Sequence, residues 1–164
     1  MRIPLISVIG SGGHLDPPEV ELAESLGEAL AKEGYGIVCG GLGGVMEAVA
    51  RGAVRGRAGK GFPPIIGLLP TYEVESGNVY LDIVIPTGMG HARNALVAAA
   101  GEVVVCVGGA TGALSEVALA RKIRRPVLAF IGSGGTARLT AKALPSVVGV
   151  KDVAEAIRKI RGLL

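Results

Sequence analysis

Three clusters of glycine stand out among the residues that could do chemistry: Gly10-Ser11-Gly12-Gly13, Gly40-Gly41-Leu42-Gly43-Gly44 and Gly108-Gly109-Ala110-Thr111-Gly112. Each follows an apolar run that reads as a β-strand and precedes a stretch that reads as a helix. Glycine at such a junction admits positive φ and lets a ligand approach the main chain. The helix that follows offers free N–H groups and the positive end of its dipole to a phosphate. None of the clusters fits GxGxxG, and Gly59-Lys60 lacks the spacing of a Walker A loop. One cluster alone would be a tight turn. Three at one edge of a parallel sheet point to a phosphate-binding site beside a topological switch point.

Two charged residues accompany the glycines. Arg93 lies in Thr87-Gly88-Met89-Gly90-His91-Ala92-Arg93-Asn94, at an expected helix start, where a cation opposes the dipole. An anionic partner is therefore expected, and a guanidinium fork suits phosphate. Glu116 falls one turn into the helix after the third cluster. It either complements the helix dipole or faces the ligand, holding ribose hydroxyls or standing against a reacting sugar carbon. His14 and His91 could both point into the same cleft, but no further ligands at matched spacing signal a metal. Cys39 and Cys106 sit in apolar runs without CxxC spacing and read as small buried hydrophobes.

The elements that must position these residues alternate along the whole chain, the pattern of a doubly wound α/β fold with a parallel sheet covered on both faces. Strands are expected at Ile3–Ile9, Tyr35–Cys39, Ile65–Leu69, Leu81–Ile85, Val103–Val107 and Val127–Ile131. The first helix opens at Asp16-Pro17-Pro18-Glu19, with Asp16 as N-cap and Glu19 completing a capping box; Val20, Ala23, Leu26 and Leu30 form its buried stripe, and Gly34 ends it. Further helices are expected at Val45–Arg55, Gly90–Ala100, Ala113–Arg121 and from about Val153 to Leu164, the last capped by Asp152 with Glu155 behind it. The stretch between Ile131 and Asp152 is assigned no element.

With 164 residues and no linker or repeat, residues 1–164 form a single domain that needs no disulfide or metal. No apolar run approaches the roughly 20 residues of a membrane span, and no signal peptide is visible, so a cytoplasmic protein without membrane partners is expected. With no Trp, three Tyr and two Phe, a stacking platform for single-stranded nucleic acid is not expected. The net charge of +3 comes from basic residues gathered near helix C-termini, such as Arg121, Lys122, Arg124 and Arg125, where they complement the dipole rather than form a nucleic-acid patch.

Three runs together, Gly40 to Ala48, Gly88 to Asn94 and Gly108 to Glu116, resemble the molybdenum cofactor carrier-like branch of the "lonely guy" (LOG) superfamily. The match keeps its order from the first strand to about Ile131. The resemblance implies a Rossmann-like fold, a homodimer or larger assembly, and a ligand with a nucleotide-like phosphate. It gives no support to the older description of such proteins as lysine decarboxylases. Hydrolytic members release a base from a nucleoside 5′-monophosphate and carry a PGGxGTxxE motif with an Arg-Lys pair upstream. Arg93 matches the family arginine, Glu116 the final glutamate, and Gly109 and Gly112 two of the motif glycines. Gly108 stands in for the proline, Ala110 for a glycine, Ala113 for the threonine and Asn94 for the lysine. The resemblance thus implies that Arg93 and Glu116 would be the reacting pair in an enzyme. The ligand would rest on Gly10, Ser11, Gly12, Gly40, Gly41, Gly43, Gly44, Met89, Asn94 and the loop from Gly108 to Ala113. Loss of the threonine and lysine favours a binding protein, with molybdenum cofactor as the candidate cargo, over a phosphoribohydrolase. Leu96, Val97, Ala99 and Ala100 give the helix after Gly90 more apolar surface than one sheet face needs, which suggests an oligomer interface.

Overall fold

The computed structural model describes residues 2–57 and 62–164; Gly59-Lys60 falls outside them. Among the described residues seven strands form one all-parallel sheet. They are β1 (Leu5–Gly10), β2 (Gly36–Cys39), β3 (Ile65–Leu69), β4 (Ile83–Pro86), β5 (Val103–Val107), β6 (Val127–Phe130) and β7 (Val147–Val150), in the order β4-β3-β2-β1-β5-β6-β7. The chain winds outward from β1 to β4 and then returns to lay β5 on the other side of β1. That return is the switch point at which ligands sit in open α/β sheets. The fold is a Rossmann-like doubly wound single domain.

Alternation along the central strands sends side chains to two cores. Ile6 and Val8 of β1, with Val103, Val105 and Val107 of β5, face a core shared with α1 (Pro17–Lys32), α2 (Val45–Gly56) and α6 (Val153–Leu163). Ile9, Val104 and Cys106 face the other, shared with α3 (Asn94–Ala100), α4 (Thr111–Lys122) and α5 (Gly135–Ala143). No helix among the described residues is long and apolar enough to cross a membrane.

Several expected boundaries shift. The first strand starts at Leu5 rather than Ile3. Asp16 is the N-cap residue of α1, but its side chain makes no capping bond. The expected capping box is absent because Glu19 instead packs against Gly108, where a Cβ would meet its Oε1. Gly34, at φ 83, does end α1: its neighbour Tyr35 donates to the Leu30 carbonyl at 3.0 Å. The fourth strand starts two residues late, since Asp82 spends its carboxylate on the Ile65 N–H at 2.8 Å and on Arg57. The helix expected from Gly90 opens as a 3₁₀ turn, Gly90–Arg93, before α3 begins at Asn94. Helix α5 and strand β7 fill the stretch that the sequence left unassigned. Helix α5 has only nine residues and β7 only four, with Gly149 inside it, so little periodicity accumulates. At α6 the expected cap forms, Asp152 accepting from the Glu155 N–H at 2.8 Å.

Helices α1 and α2 touch backbone to backbone. A Cβ on Gly27 would strike the Val49 carbonyl, and Cβ atoms on Gly52 and Gly56 would strike those of Glu24 and Glu28. Arg51 and Arg55 clasp Glu24 across this seam, each at 2.6 Å, and hold its carboxyl below the usual carboxylate range. The seam fixes α2, and with it the loop that precedes it. Gly52→Ala should therefore cost about 1–3 kcal/mol in urea unfolding through overpacking. Gly162→Ala, in a helix position with open space around it, should stabilise by roughly 0.5–1 kcal/mol.

Candidate functional site

Above the carboxyl ends of β1 and β2 lies a cleft of about 180 Å³. Its floor and walls are Val8, Ile9, Gly10, Gly12, Gly40, Leu42 and Met46 on one side, and His91, Arg93, Asn94, Gly112, Ala113 and Glu116 on the other. The glycines admit the close packing: a Cβ on Gly10 would strike the Val107 carbonyl, and one on Gly40 would sit 2.6 Å from Nη2 of Arg93.

Arg93 is only 8 % exposed, although it carries a charge. Nη1 donates to Asn94 Oδ1 and Nη2 to the Gly40 carbonyl at 3.4 Å, while Nε is buried without a partner. Asn94, also buried, donates in turn to Ser115 Oγ at 2.9 Å, and Ser115 donates to the Gly112 carbonyl at 2.7 Å. A chain of hydrogen bonds thus runs from the guanidinium to the first turn of α4. An asparagine can accept from Arg93 and donate onward; a lysine at this position could only donate.

Glu116 is 6 % exposed and faces the same cleft. Among the described residues its carboxyl accepts no hydrogen bond and pairs with no cation within ion-pair distance. Burial pushes its pKa up to about 7, against the smaller opposing effect of the Arg93 charge. Burial likewise lifts the Cys39 thiol to about 11 and Cys106 to about 12, so both remain inert thiols. Among the described residues no group of three or more His, Cys, Asp or Glu could hold a metal ion.

The third glycine loop turns through two left-handed residues, Gly108 at φ 53 and Gly109 at φ 94. It is held from behind by a segment that sequence reasoning missed. Ser133 Oγ accepts from the Gly108 N–H at 2.7 Å. The N–H groups of Thr136 and Ala137 donate to the Gly109 and Gly108 carbonyls, each at 2.9 Å. Thr136 Oγ1 donates to the Ala110 carbonyl at 2.7 Å. The signal was present as Gly132-Ser133-Gly134-Gly135-Thr136, a fourth glycine-rich run after a strand. In α4 the first intrahelical bond is from Leu114 to the Ala110 carbonyl at 3.0 Å, so the N–H groups of Thr111, Gly112 and Ala113 are left over.

The structure brings Gly10, Gly12, Gly40, Arg93, Asn94, Gly112, Ala113 and Glu116 together in the cleft wall. Gly41, Gly44, Gly108 and Gly109 shape the loops from beneath, with positive φ. Ser11 serves the frame, its carbonyl accepting from the Val45 N–H at 2.8 Å. Gly43, Ala110 and Thr111 lie on the loops beside the cleft, and Met89 is exposed outside its wall. The two histidines part company: His91 lines the cleft, whereas His14 lines a separate pocket on the other side of the first loop. Leu42, Met46 and Ser115 joined the site without having been singled out as ligand contacts.

Residues 3–157 match the SLOG cluster4 family. A protein of Archaeoglobus fulgidus is 38% identical over 122 residues, 74% of this chain and 76% of that one. The molybdenum cofactor binding protein of the phototrophic bacterium Rippkaea orientalis superposes with a TM-score of 0.86 at 32% identity, covering 99% of this chain and 98% of that one. The molybdenum cofactor carrier protein of Chlamydomonas reinhardtii gives a TM-score of 0.82 at 32% identity, covering 98% of each chain.

A carboxyl whose folded pKa lies near 7, above its ordinary 4.5, makes a testable contribution to stability. The folded state binds the extra proton, so the stabilisation is complete below about pH 4.5 and is lost as the pH rises through about 7. Glu116→Gln removes the titration. Relative to that variant, the wild type should lose about 3 kcal/mol of unfolding free energy between pH 4.5 and 8, measured in urea without ligand.

Proposed function

The chain belongs to the SLOG cluster4 family, and from that premise we propose that it is a binding protein for a phosphorylated, nucleotide-like ligand, with molybdenum cofactor as its cargo. One observation carries the reading. A buried arginine, with its Nε unpartnered and no carboxylate in ion-pair range among the described residues, faces a cleft closed on one side by the unused amides of a helix N-terminus. A phosphate placed there would accept from the Gly112 and Ala113 amides and neutralise Arg93, while the protonated form of Glu116 would donate its O–H to a ligand oxygen. The two molybdenum cofactor proteins of the same fold support this choice of cargo.

A second reading, nucleoside 5′-monophosphate phosphoribohydrolase, is favoured by Glu116 alone. A carboxylate in the cleft could stabilise oxocarbenium character at the ribose carbon. Asn94, bound to Arg93 and Ser115, and Ala113, without a hydroxyl for the phosphate, weigh against it. The purified protein should retain a phosphorylated ligand in native mass spectrometry and release no base from common nucleoside monophosphates above background. Arg93→Ala should weaken ligand binding by about 1.5–3 kcal/mol, roughly 10- to 150-fold. Base release by wild type, abolished in Glu116→Gln, would establish the second reading instead.

The same face bears on assembly. Ile83 and Ile85 of the edge strand β4 pair in register with Ile66 and Leu68, so they point to the α3 side of the sheet. They are 45% and 43% exposed, and Leu96 of α3 is 41% exposed, while Val97 and Ala98 turn inward. We infer a two-fold contact of this chain through Leu96 and the β4 face. Sedimentation at micromolar concentration should show at least a dimer, and Leu96→Asp should shift it to monomer.

A further inference from the structure

Most glycines around the cleft are demanded by the fold, but four are not. Gly41, Gly44, Gly108 and Gly109 have positive φ, and Gly10 and Gly40 have no room for a Cβ. Gly12, Gly13, Gly43 and Gly112 have neither restriction. A Cβ would meet open space at Gly112, ordinary contacts at Gly13 and Gly43, and only the mobile methyl of Met46, at 3.2 Å, at Gly12. Gly12 and Gly112 line the cleft, and Gly13 lines a second pocket of about 300 Å³ shared with His14, Leu15, Gly44, Glu47 and Arg51. Gly43 stands on the saddle between the two, 3.6 Å from the Gly12 carbonyl and 3.9 Å from Oε2 of Glu47, measured from the Cβ position. A low ridge of bare backbone therefore joins the two cavities, and no contact among the described residues requires it to be bare.

Resting on the phosphate-cleft reading above, we propose that the ligand crosses this saddle and that Glu47 reads the 2-amino-4-oxopyrimidine edge of a pterin in the second pocket. Among the described residues Glu47 accepts no hydrogen bond, and its cation neighbour Arg51 stands off at 3.6 Å because Arg51 Nε is already held by Glu24 at 2.6 Å. A carboxylate with two free oxygens matches the adjacent ring N–H and exocyclic amine of that edge, two parallel donors. Leu15 and Ala48 supply the apolar wall for the ring.

Calorimetric titration with neopterin monophosphate, its lumazine counterpart (a carbonyl in place of the 2-amino group) and inorganic phosphate tests the assignment. Wild type should bind the pterin phosphate at least about tenfold more tightly than the lumazine phosphate, as expected for loss of a charged hydrogen bond that leaves facing acceptors. Glu47→Gln should bring the two within about twofold. Gly13→Val should weaken pterin phosphate about tenfold or more while leaving inorganic phosphate unchanged. Equal binding of pterin and lumazine by wild type, or full pterin affinity in both variants, would overturn the second pocket while sparing the first cleft. If wild type binds inorganic phosphate no better than Arg93→Ala does, the cleft reading falls and takes this one with it.

Discussion

The guanidinium of Arg93, buried and without a carboxylate partner among the described residues, sets the terms for the whole site. An unpaired buried charge costs several kcal/mol, which surrounding dipoles must offset. Asn94 Oδ1 and the Gly40 carbonyl supply two of them. Gly40 must lack a side chain for Nη2 to reach that carbonyl, and Asn94 must keep its oxygen toward Arg93, which its bond to Ser115 enforces. The carboxyl that could neutralise the charge does not approach it. Burial of Glu116 pushes its pKa up to about 7. The cleft therefore sets a buried positive charge beside a carboxyl whose ionisation burial disfavours.

Where an anion would rest follows from which helix ends have donors left. Helix α1 begins with Pro17-Pro18, which carry no N–H. At α2 the Val45 amide is committed to the Ser11 carbonyl, the bond that ties the first two glycine loops together. At α5 the Thr136 and Ala137 amides are spent on the third loop. Of these four, only α4 keeps all three first-turn amides, those of Thr111, Gly112 and Ala113, without a partner among the described residues, and it begins at the cleft. The switch point brings α4 beside β1, and the return of β5 to the centre of the sheet is what creates that neighbourhood. Local hydrogen bonding and sheet topology thus select the same place.

The sequence made the central strands and the glycine edge legible because buried parallel strands are continuous apolar runs and their loops are rich in glycine. Val103–Val107 was readable to the residue, since all five side chains are buried. The outer parts of the sheet were harder. Strand β4 lies at the edge, with Ile83 and Ile85 turned outward, and β7 is four residues with Val148 and Gly149 exposed. Asp16 and Asp152 look alike in sequence, each with Glu three residues on, yet only Asp152 caps. Near α1 the tertiary fold offers Glu19 a place against Gly108, and local propensity yields. Arg93 and Glu116 were readable as a pair. Their separation, and the clamp through Ser115, depend on α3 and α4 packing side by side, which no local pattern encodes.

The positions where this chain departs from the hydrolytic motif are not simply losses. Gly108 stands where that motif has proline, but its φ of 53 lies far outside the −65° to which proline is confined. The loop takes that turn with the Glu19 carboxyl packed against it, burial raising the pKa of that carboxyl, so a proline could enter only with a different path for the chain. Ala113 packs beneath Gly109, 2.5 Å from where a Cβ would stand, which again makes glycine obligatory there. Asn94 gives up a cation and gains the ability to accept from Arg93 and donate to Ser115. Gly108 and Asn94 therefore have a structural use, the one in the turn of the loop and the other in holding the arginine. A site that clamps its arginine, with burial disfavouring the charged form of Glu116, is better matched to retaining an anionic ligand than to supplying the steady negative charge that an oxocarbenium ion demands. That physical preference supports binding ahead of hydrolysis.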